Sequence, residues 1–292
     1  MEPVILFGTF TVLLLIGTPV AFCLGAASLA TVLYMGLPPV VVFQRLNSGV
    51  SVFALMAIPF FIFAGELMVR GDIARRLVAL AGAVVGHMRG GLGQVNITAS
   101  VLFGGISGSA AADATAIGGL MIPQMKEKGY SVEYGVNVTV VSSIIALMLP
   151  PSHNMIIYSI SAGGRLSIAD LFTAGILPGL LLAVSLMVTA WFVARRAGYP
   201  TERFPGLSAL GAMFINAIPG LLLIGIIFGG VRSGVFTASE SSCIAAVYAL
   251  LVTTLAYRTM HWPEFVAATK AAVRTTAMVL LVIGCAASFG WL

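Results

Sequence analysis

Residues Ser100 to Pro123 read SVLFGGISGSAAADATAIGGLMIP. The stretch is apolar enough to enter a bilayer, yet it holds five glycines, three serines and, near its middle, the carboxylate of Asp113. A helix that only anchors has no use for a small, polar, acid-bearing centre. Backbone that leaves the helix at membrane depth is tolerated only where protein or a polar cavity surrounds it. The centre of this stretch therefore implies a cavity.

The rest of the chain agrees with a bilayer setting. Of 292 residues, 59% are hydrophobic and only 9% charged, with a mean hydropathy of +1.06. Soluble domains carry about a quarter charged residues, so lipid must solvate most of this surface and the chain is a polytopic membrane protein. The formal charge of +5 is no nucleic-acid signal, because basic residues of membrane proteins gather in cytoplasmic loops. Cys23, Cys243 and Cys285 lie in apolar runs without CxxC spacing and read as small buried hydrophobes. The opening MEPVILFGTF lacks the basic start of a cleavable signal peptide, so the amino terminus reads as mature.

Apolar runs fall at about 3–16, 18–36, 51–69, 91–123, 136–158, 171–194, 207–231, 234–257 and 275–292. Gly17-Thr18-Pro19 predicts a break between the first two. Residues 70–89, with Arg70, Arg75, Arg76 and Arg89 around a short apolar face, suit a helix lying on the membrane surface. The run 91–123 has 33 residues, too many for one upright helix and too few for two crossings. It either crosses with a tilt or enters and returns as a hairpin.

Loop charge separates the two. With the amino terminus outside and a hairpin at 91–123, twelve of the fifteen Lys and Arg residues lie inside, leaving Arg45, Arg165 and Arg232 outside. If the run crosses, the ratio becomes six to nine. The positive-inside rule favours the hairpin. A faint echo between SVFALMAIPFFIFAGELM (51–68) and TTAMVLLVIGCAASFGWL (275–292), running in opposite directions, suggests inverted repeats. The second copy stops at Leu292 inside its apolar run, which raises the expectation that the chain is incomplete at its carboxyl end.

Three constellations carry chemistry. At the hairpin tip, Gly104, Gly105 and Gly108 let the chain turn, while Ser107, Ser109 and Thr115 offer hydroxyl oxygens. Such oxygens suit a dehydrated sodium ion, and half-helix ends supply partial charges of both signs. Asp113 reads equally as an ion ligand or as a hydrogen-bond brace of the tip. Close packing through small residues is the plain alternative for the segment; no GKS or GKT follows to make it a phosphate loop.

The second constellation is LMLPPSHNMIIYS (147–159), where Pro150 and Pro151 break a helix beside Ser152, His153 and Asn154. His153 reads better as a packing histidine than as a titrating group, and neither His87 nor His261 pairs with it as zinc ligands do. In the third, GVFTASESSCIAAVYALL (234–251), Glu240 either caps a helix or belongs to a polar core with Thr237, Ser239, Ser241 and Ser242. Glu66 reads as an interface anchor. No Lys or Arg falls at membrane depth, so an anionic substrate would rely on helix ends, amides and a bound cation.

The segments AIPFFIFAGELM, FGGISGSAAADATAIGGLMIPQM, LPPSHNMIIYS, AGILPG and GVFTASESS, in this order, resemble the large membrane subunit of TRAP-type (tripartite ATP-independent periplasmic) transporters. The resemblance implies an all-α polytopic fold of inverted-repeat ion-transporter type, with a re-entrant helical hairpin and a discontinuous helix. It implies sodium-coupled import of organic acids, of the C4-dicarboxylate or sialic-acid class, by an elevator motion across a Gram-negative-type inner membrane. A periplasmic substrate-binding protein and a small four-helix membrane subunit would be partners, with sodium as coupling ion and no other cofactor. Carried over, the ion-site candidates are Ser107, Gly108, Ser109, Asn96 and Asp113, and the cavity candidates are Pro151, Ser152, Asn154, Thr237 and Glu240. Where the family shows Phe-Thr-Pro-Thr-Glu, this chain has Phe236-Thr237-Ala238-Ser239-Glu240, a softer turn that keeps the carboxylate.

On this reading residues 1–69 are scaffold helices of a first repeat and 70–89 an arm helix. Residues 90–164 hold the transport hairpin and broken helix, 165–205 a connecting helix and cytoplasmic loop, and 206–292 the start of a second repeat whose own hairpin would lie beyond Leu292. The competing readings are a stand-alone ion-coupled anion carrier, a membrane-embedded enzyme and a non-transporting assembly subunit. An enzyme needs a nucleophile–base pair or metal ligands at helical spacing, and an assembly subunit has no need of the hairpin and the Pro-Pro break.

Overall fold

The computed structural model describes residues 1–292 and is helical throughout. In chain order the helices are α1 (Glu2–Leu15), α2 (Val20–Tyr34), α3 (Val40–Val50), α4 (Ala57–Arg70), α5 (Ile73–Val85), α6 (Gly91–Ser107) and α7 (Ala110–Glu127). They continue as α8 (Val132–Ser143), α9 (Ile145–Met148), α10 (His153–Ser161), α11 (Ile168–Ala197), α12 (Leu207–Arg232), α13 (Ala238–Leu251) and α14 (Trp262–Trp291). Five helical stretches are long and apolar enough to cross a membrane, or six if α8–α9 and α10 count as one broken span. The chain is a multi-pass membrane protein.

Local chemistry explains most boundaries. Gly17, with φ +88°, and Pro19 separate α1 from α2. Serine hydroxyls at Ser109, Ser131 and Ser167 cap the first turns of α7, α8 and α11. Two features depart from the sequence reading. VVVFQRLNSGV forms α3, although it is too short and too polar to register as an apolar run. The segment expected to begin at 275 after a basic loop starts instead at Trp262, in one 30-residue helix that carries Lys270 and Arg274 along its length. Pro263 in the first turn and the alanines that follow favour a helix there, and no breaker interrupts it.

The chain forms two compact units, residues 1–56 with 273–292 and residues 57–272. In the first unit Phe289 packs its ring against Phe7 and Phe10, with centroids 5.6 Å away in each case. Gly49 lies beneath Ala287 and Gly284 beneath Leu46, so that α3 and the last part of α14 approach closely.

The second unit is built around α6, in which fourteen of seventeen residues are buried. Register follows from its neighbours. Along α6, Gly93 faces the Tyr134 hydroxyl, Gly104 faces Ala146 and Gly108 faces Pro151, so α6 and α8–α9 run in parallel. Gly118 faces Thr139 and Gly135 faces Met125, so α7 runs the other way. Thus α7 folds back along α6, with the turn at Gly108-Ser109. Helix α5 packs on α6 and α12, and Ile73 and Leu77 lie over Gly220. Its apolar face, with Ile73, Leu77 and Leu80, is buried against protein.

Both open ends of the α6–α7 pair lie at one end of this unit. Ala194 of α11 covers Gly90, and the connector between α11 and α12 crosses the same end. The Tyr130 hydroxyl donates to the Pro200 carbonyl at 3.1 Å, the Tyr199 hydroxyl donates to Ser131 Oγ at 3.1 Å, and Lys128 pairs with Glu202. His87 meets Phe204 edge-on, with centroids 5.7 Å apart. Burial first, and the nearby Glu202 and Tyr199 after it, push the Tyr130 hydroxyl above its ordinary range despite a backbone hydrogen bond at Leu92, so it stays a neutral donor. Arg89, Lys126, Lys128, Arg195, Arg196 and Arg203 gather around this end. Arg232 is bonded to Thr173 near the start of α11, at the opposite end.

Candidate functional site

Two interruptions of helical backbone meet inside the second unit. Helix α6 ends at Gly108 in the left-handed conformation, φ +59°, and α7 starts from Ser109, whose Oγ accepts from the Ala112 amide at 3.3 Å. Opposite, α9 ends at Leu149 in extended backbone, Pro150 and Pro151 follow across a cis peptide bond, and α10 begins at His153. The pieces on either side of the two prolines are bent by 51°.

The approach is close. A Cβ on Gly108 would collide with the Pro151 carbonyl and come within 3.0 Å of Ser152 Cα, and one on Gly105 would lie 3.6 Å from the Pro150 carbonyl oxygen. From the other side, Gly65 of α4 brings its backbone against Ser107. The amino-terminal ends of α7 and α10 and the carboxyl-terminal ends of α6 and α9 therefore converge. Exposed amides favour an anion and exposed carbonyls a cation.

Of the residues expected here, the structure brings together Ser107, Gly108, Ser109, Pro151 and Ser152. Ser107 and Ser152 are buried, and Ser152 Oγ has no partner within the chain. Asn154 is the second residue of α10 and is exposed. Asp113, one turn past Ser109, is completely buried; neither carboxylate oxygen makes a hydrogen bond of ordinary geometry, and the Ser100 hydroxyl is the side-chain donor that lies near it. A buried carboxylate costs several kcal/mol unless compensated, so this position calls for a cation, a proton or ordered water. The available donors are hydroxyl, carbonyl and carboxylate oxygens, the set preferred by hard cations. Thr115 is exposed and spends its hydroxyl on the Ala111 carbonyl at 2.8 Å.

Asn96 is placed elsewhere. It precedes Ser107 by eleven residues, about 16 Å along the helix. Its amide donates to Thr139 Oγ1 at 2.7 Å, its carbonyl oxygen accepts from Ser142 Oγ at 3.0 Å, and Ser100 donates to Ser142 at 3.1 Å. This buried network braces α6 against α8. Ser100, Thr139 and Ser142 were not among the expected residues. Their signal was polar spacing of four in one apolar helix (96, 100) and three in another (139, 142).

Thr237 and Glu240 form a capping box at the start of α13. Thr237 Oγ1 accepts from the Glu240 amide at 3.3 Å, and the Glu240 carboxylate accepts from the Thr237 amide at 2.7 Å. Of the two readings left open by the sequence, the structure gives the cap: Glu240 is exposed, while Ser239, Ser241 and Ser242 are buried. Glu66 pairs with Arg70 one turn on, at 3.6 Å.

A protein-family model described as "Tripartite ATP-independent periplasmic transporter, DctM component" matches residues 7–292. The chain is 34% identical over 305 residues to the C4-dicarboxylate TRAP transporter large permease protein DctM of Rhodobacter capsulatus, covering 100% of this chain and 69% of that protein. It is 37% identical to the 2,3-diketo-L-gulonate TRAP transporter large permease protein YiaN of Escherichia coli (strain K12), covering 95% of this chain and 65% of that one. With the sialic acid TRAP transporter large permease protein SiaM of Vibrio cholerae the identity is 37%, over 96% of this chain and 65% of the relative. The chain thus spans about two thirds of the length of the curated relatives it matches. The match along nearly the whole chain, the apolar spans and the facing backbone breaks lead to one conclusion: this chain belongs to the DctM-component family of tripartite ATP-independent periplasmic transporters.

Proposed function

We propose that the chain is part of a permease subunit for secondary, sodium-coupled uptake of organic acids across a bacterial inner membrane. A periplasmic binding protein delivers the substrate and a small four-helix subunit completes the membrane complex. The substrate class is that of the relatives, a C4-dicarboxylate, a sugar acid or a sialic acid. The observation that carries this reading is the meeting of the Gly108-Ser109 turn with the Pro150-Pro151 break beside the buried carboxylate of Asp113.

In this reading α6–α7 enters and leaves the membrane on the cytoplasmic side as a re-entrant hairpin. Sodium, a transported ion here, takes oxygens from Ser107, Ser109 and the backbone breaks, with Asp113 supplying nearby negative charge. The amino-terminal ends of α7 and α10 then face the substrate carboxylate, and the ion offsets the charge that no buried Arg or Lys supplies. An inverted second repeat forms the facing half of the cavity, and the hairpin unit moves as a body against a scaffold, as an elevator.

The test is uptake into proteoliposomes by the permease carrying this chain, reconstituted with its two partners under an imposed sodium gradient. Ser107→Ala and Asp113→Asn should each raise the sodium concentration for half-maximal uptake several-fold, because a dehydrated cation loses an oxygen or a charge that water cannot replace. Uptake with unchanged sodium dependence in both variants, at equal expression, would place the ion elsewhere.

A further inference from the structure

A groove of about 280 Å³ runs between α8 and α11 with Ile97 of α6 as its floor. Val138 and Val141 form one wall, and Leu186 and Val193 form the other. The helix faces beside it, with Val136 and Val140 on one side and Val184 and Val188 on the other, are exposed or nearly so, as surfaces that meet hydrocarbon are. No side chain of the second unit fills the groove.

Its lining changes with depth. Tyr134 donates to the Ala190 carbonyl at 3.4 Å and fixes the register of the two helices near the basic end. From there inward come Asn137 and Thr189, then Val138, Val141 and Leu186. Outward along α11, Arg196 follows Val193 by three positions and Thr189 by seven, which puts it on the groove face. Arg195 stacks on Trp191 at 5.3 Å, an aromatic at the depth where a bilayer turns polar. Both arginines are exposed and neither pairs with a carboxylate. The one acid on the opposite wall's first turn is Glu133, and Lys128 nearby is already paired with Glu202.

We propose that this groove binds one acyl chain of an anionic phospholipid, with the phosphate at Arg196, the ester region level with Asn137 and Thr189, and the chain along Val138, Val141 and Leu186. Charge complementarity selects the occupant: cationic mouth, uncharged polar collar, apolar interior. Inward of the polar collar, three residues of α11 separate Thr189 from Leu186 and four of α8 separate Asn137 from Val141, about 5–6 Å of helix, against roughly 15 Å of hydrocarbon in one leaflet. The groove therefore holds the upper part of one chain and leaves the remainder in the bilayer. The site is independent of the ion and substrate reading above.

Native mass spectrometry of the purified chain in mild detergent, titrated with phosphatidylglycerol or phosphatidylcholine of matched chains, tests it. Phosphatidylglycerol should bind at least roughly fivefold more tightly. Arg196→Gln, a surface change, should remove that preference, Glu133→Gln should increase it, and Val141→Trp should fill the groove and reduce retention of both lipids. Equal binding of the two lipids by the parent chain overturns the proposal, as does a preference that survives Arg196→Gln. The same holds if Asn137→Cys is reached by a lipid-soluble maleimide until the small membrane subunit is added, which would show that a protein helix fills the groove.

Discussion

A side chain at position 108 would meet two obstacles. The backbone there is left-handed, which costs an L-residue about 1–3 kcal/mol when the surroundings hold it in place. The space a Cβ would take is already occupied by the Pro151 carbonyl. Gly108→Ala should therefore lower the thermal stability of the purified chain in detergent by more than the strain alone. Gly119→Ala is the matched control: the same change, in helix α7, with nothing near the new methyl group. It should be neutral or slightly stabilising. Equal melting temperatures for Gly108→Ala and the parent would mean that the turn relaxes away from Pro151. Asp113 presents a different situation, a fully buried carboxylate without a hydrogen bond of ordinary geometry, which is why the proposed ion site includes it.

Contacts between helices are where the sequence becomes hard to read. The breaks at Gly17–Pro19, Gly108-Ser109 and Pro150-Pro151 were legible because each is local, written in residues that remove a donor or permit a positive φ. That same locality brought Ser107, Gly108, Ser109, Pro151 and Ser152 into view together. Asn96 was placed with them through resemblance, but its partners are Thr139 and Ser142, and the register of two helices 43 residues apart is written in no single segment. Likewise the cover on α5 and the early start of α14 depend on what packs where, or on good helix formers that hydropathy passes over. The Asn96 network has a measurable signature. A double-mutant cycle of Asn96→Ala and Thr139→Ala, read by unfolding in detergent, should give a coupling of roughly 0.5–1.5 kcal/mol, as buried hydrogen bonds between membrane helices do. A coupling near zero would show that water or a rearranged neighbour replaces the bond without loss.

Charge orients the chain. The loops around Arg89, Lys126, Arg195 and Arg203 meet at one end of the second unit, and Arg232 lies at the other. By the positive-inside rule the basic end is expected to face the cytoplasm. Single cysteines at Arg89 and Lys126, probed with an impermeant thiol reagent in oriented vesicles, should label from the same side, and a cysteine at Arg232 from the opposite side. Labelling of Arg89→Cys and Lys126→Cys from opposite faces would require the stretch between them to cross, against both the charge count and the fold-back of α7 on α6.

The turn at Gly108 and the break at Pro151 are 43 positions apart, and the connector that crosses the basic end begins 47 positions after Pro151. At roughly 5–20 residues per second of synthesis, both halves of the meeting point exist within about 2–9 s of each other. The residues that tie down the base, Tyr199, Pro200 and Glu202, come several seconds later. The site is therefore made first and fastened second. An insertion machine that released α4 to α10 as one group would already hold the contacts of Gly65 with Ser107 and of Gly105 and Gly108 with Pro150 and Pro151, before α11 had finished leaving the ribosome.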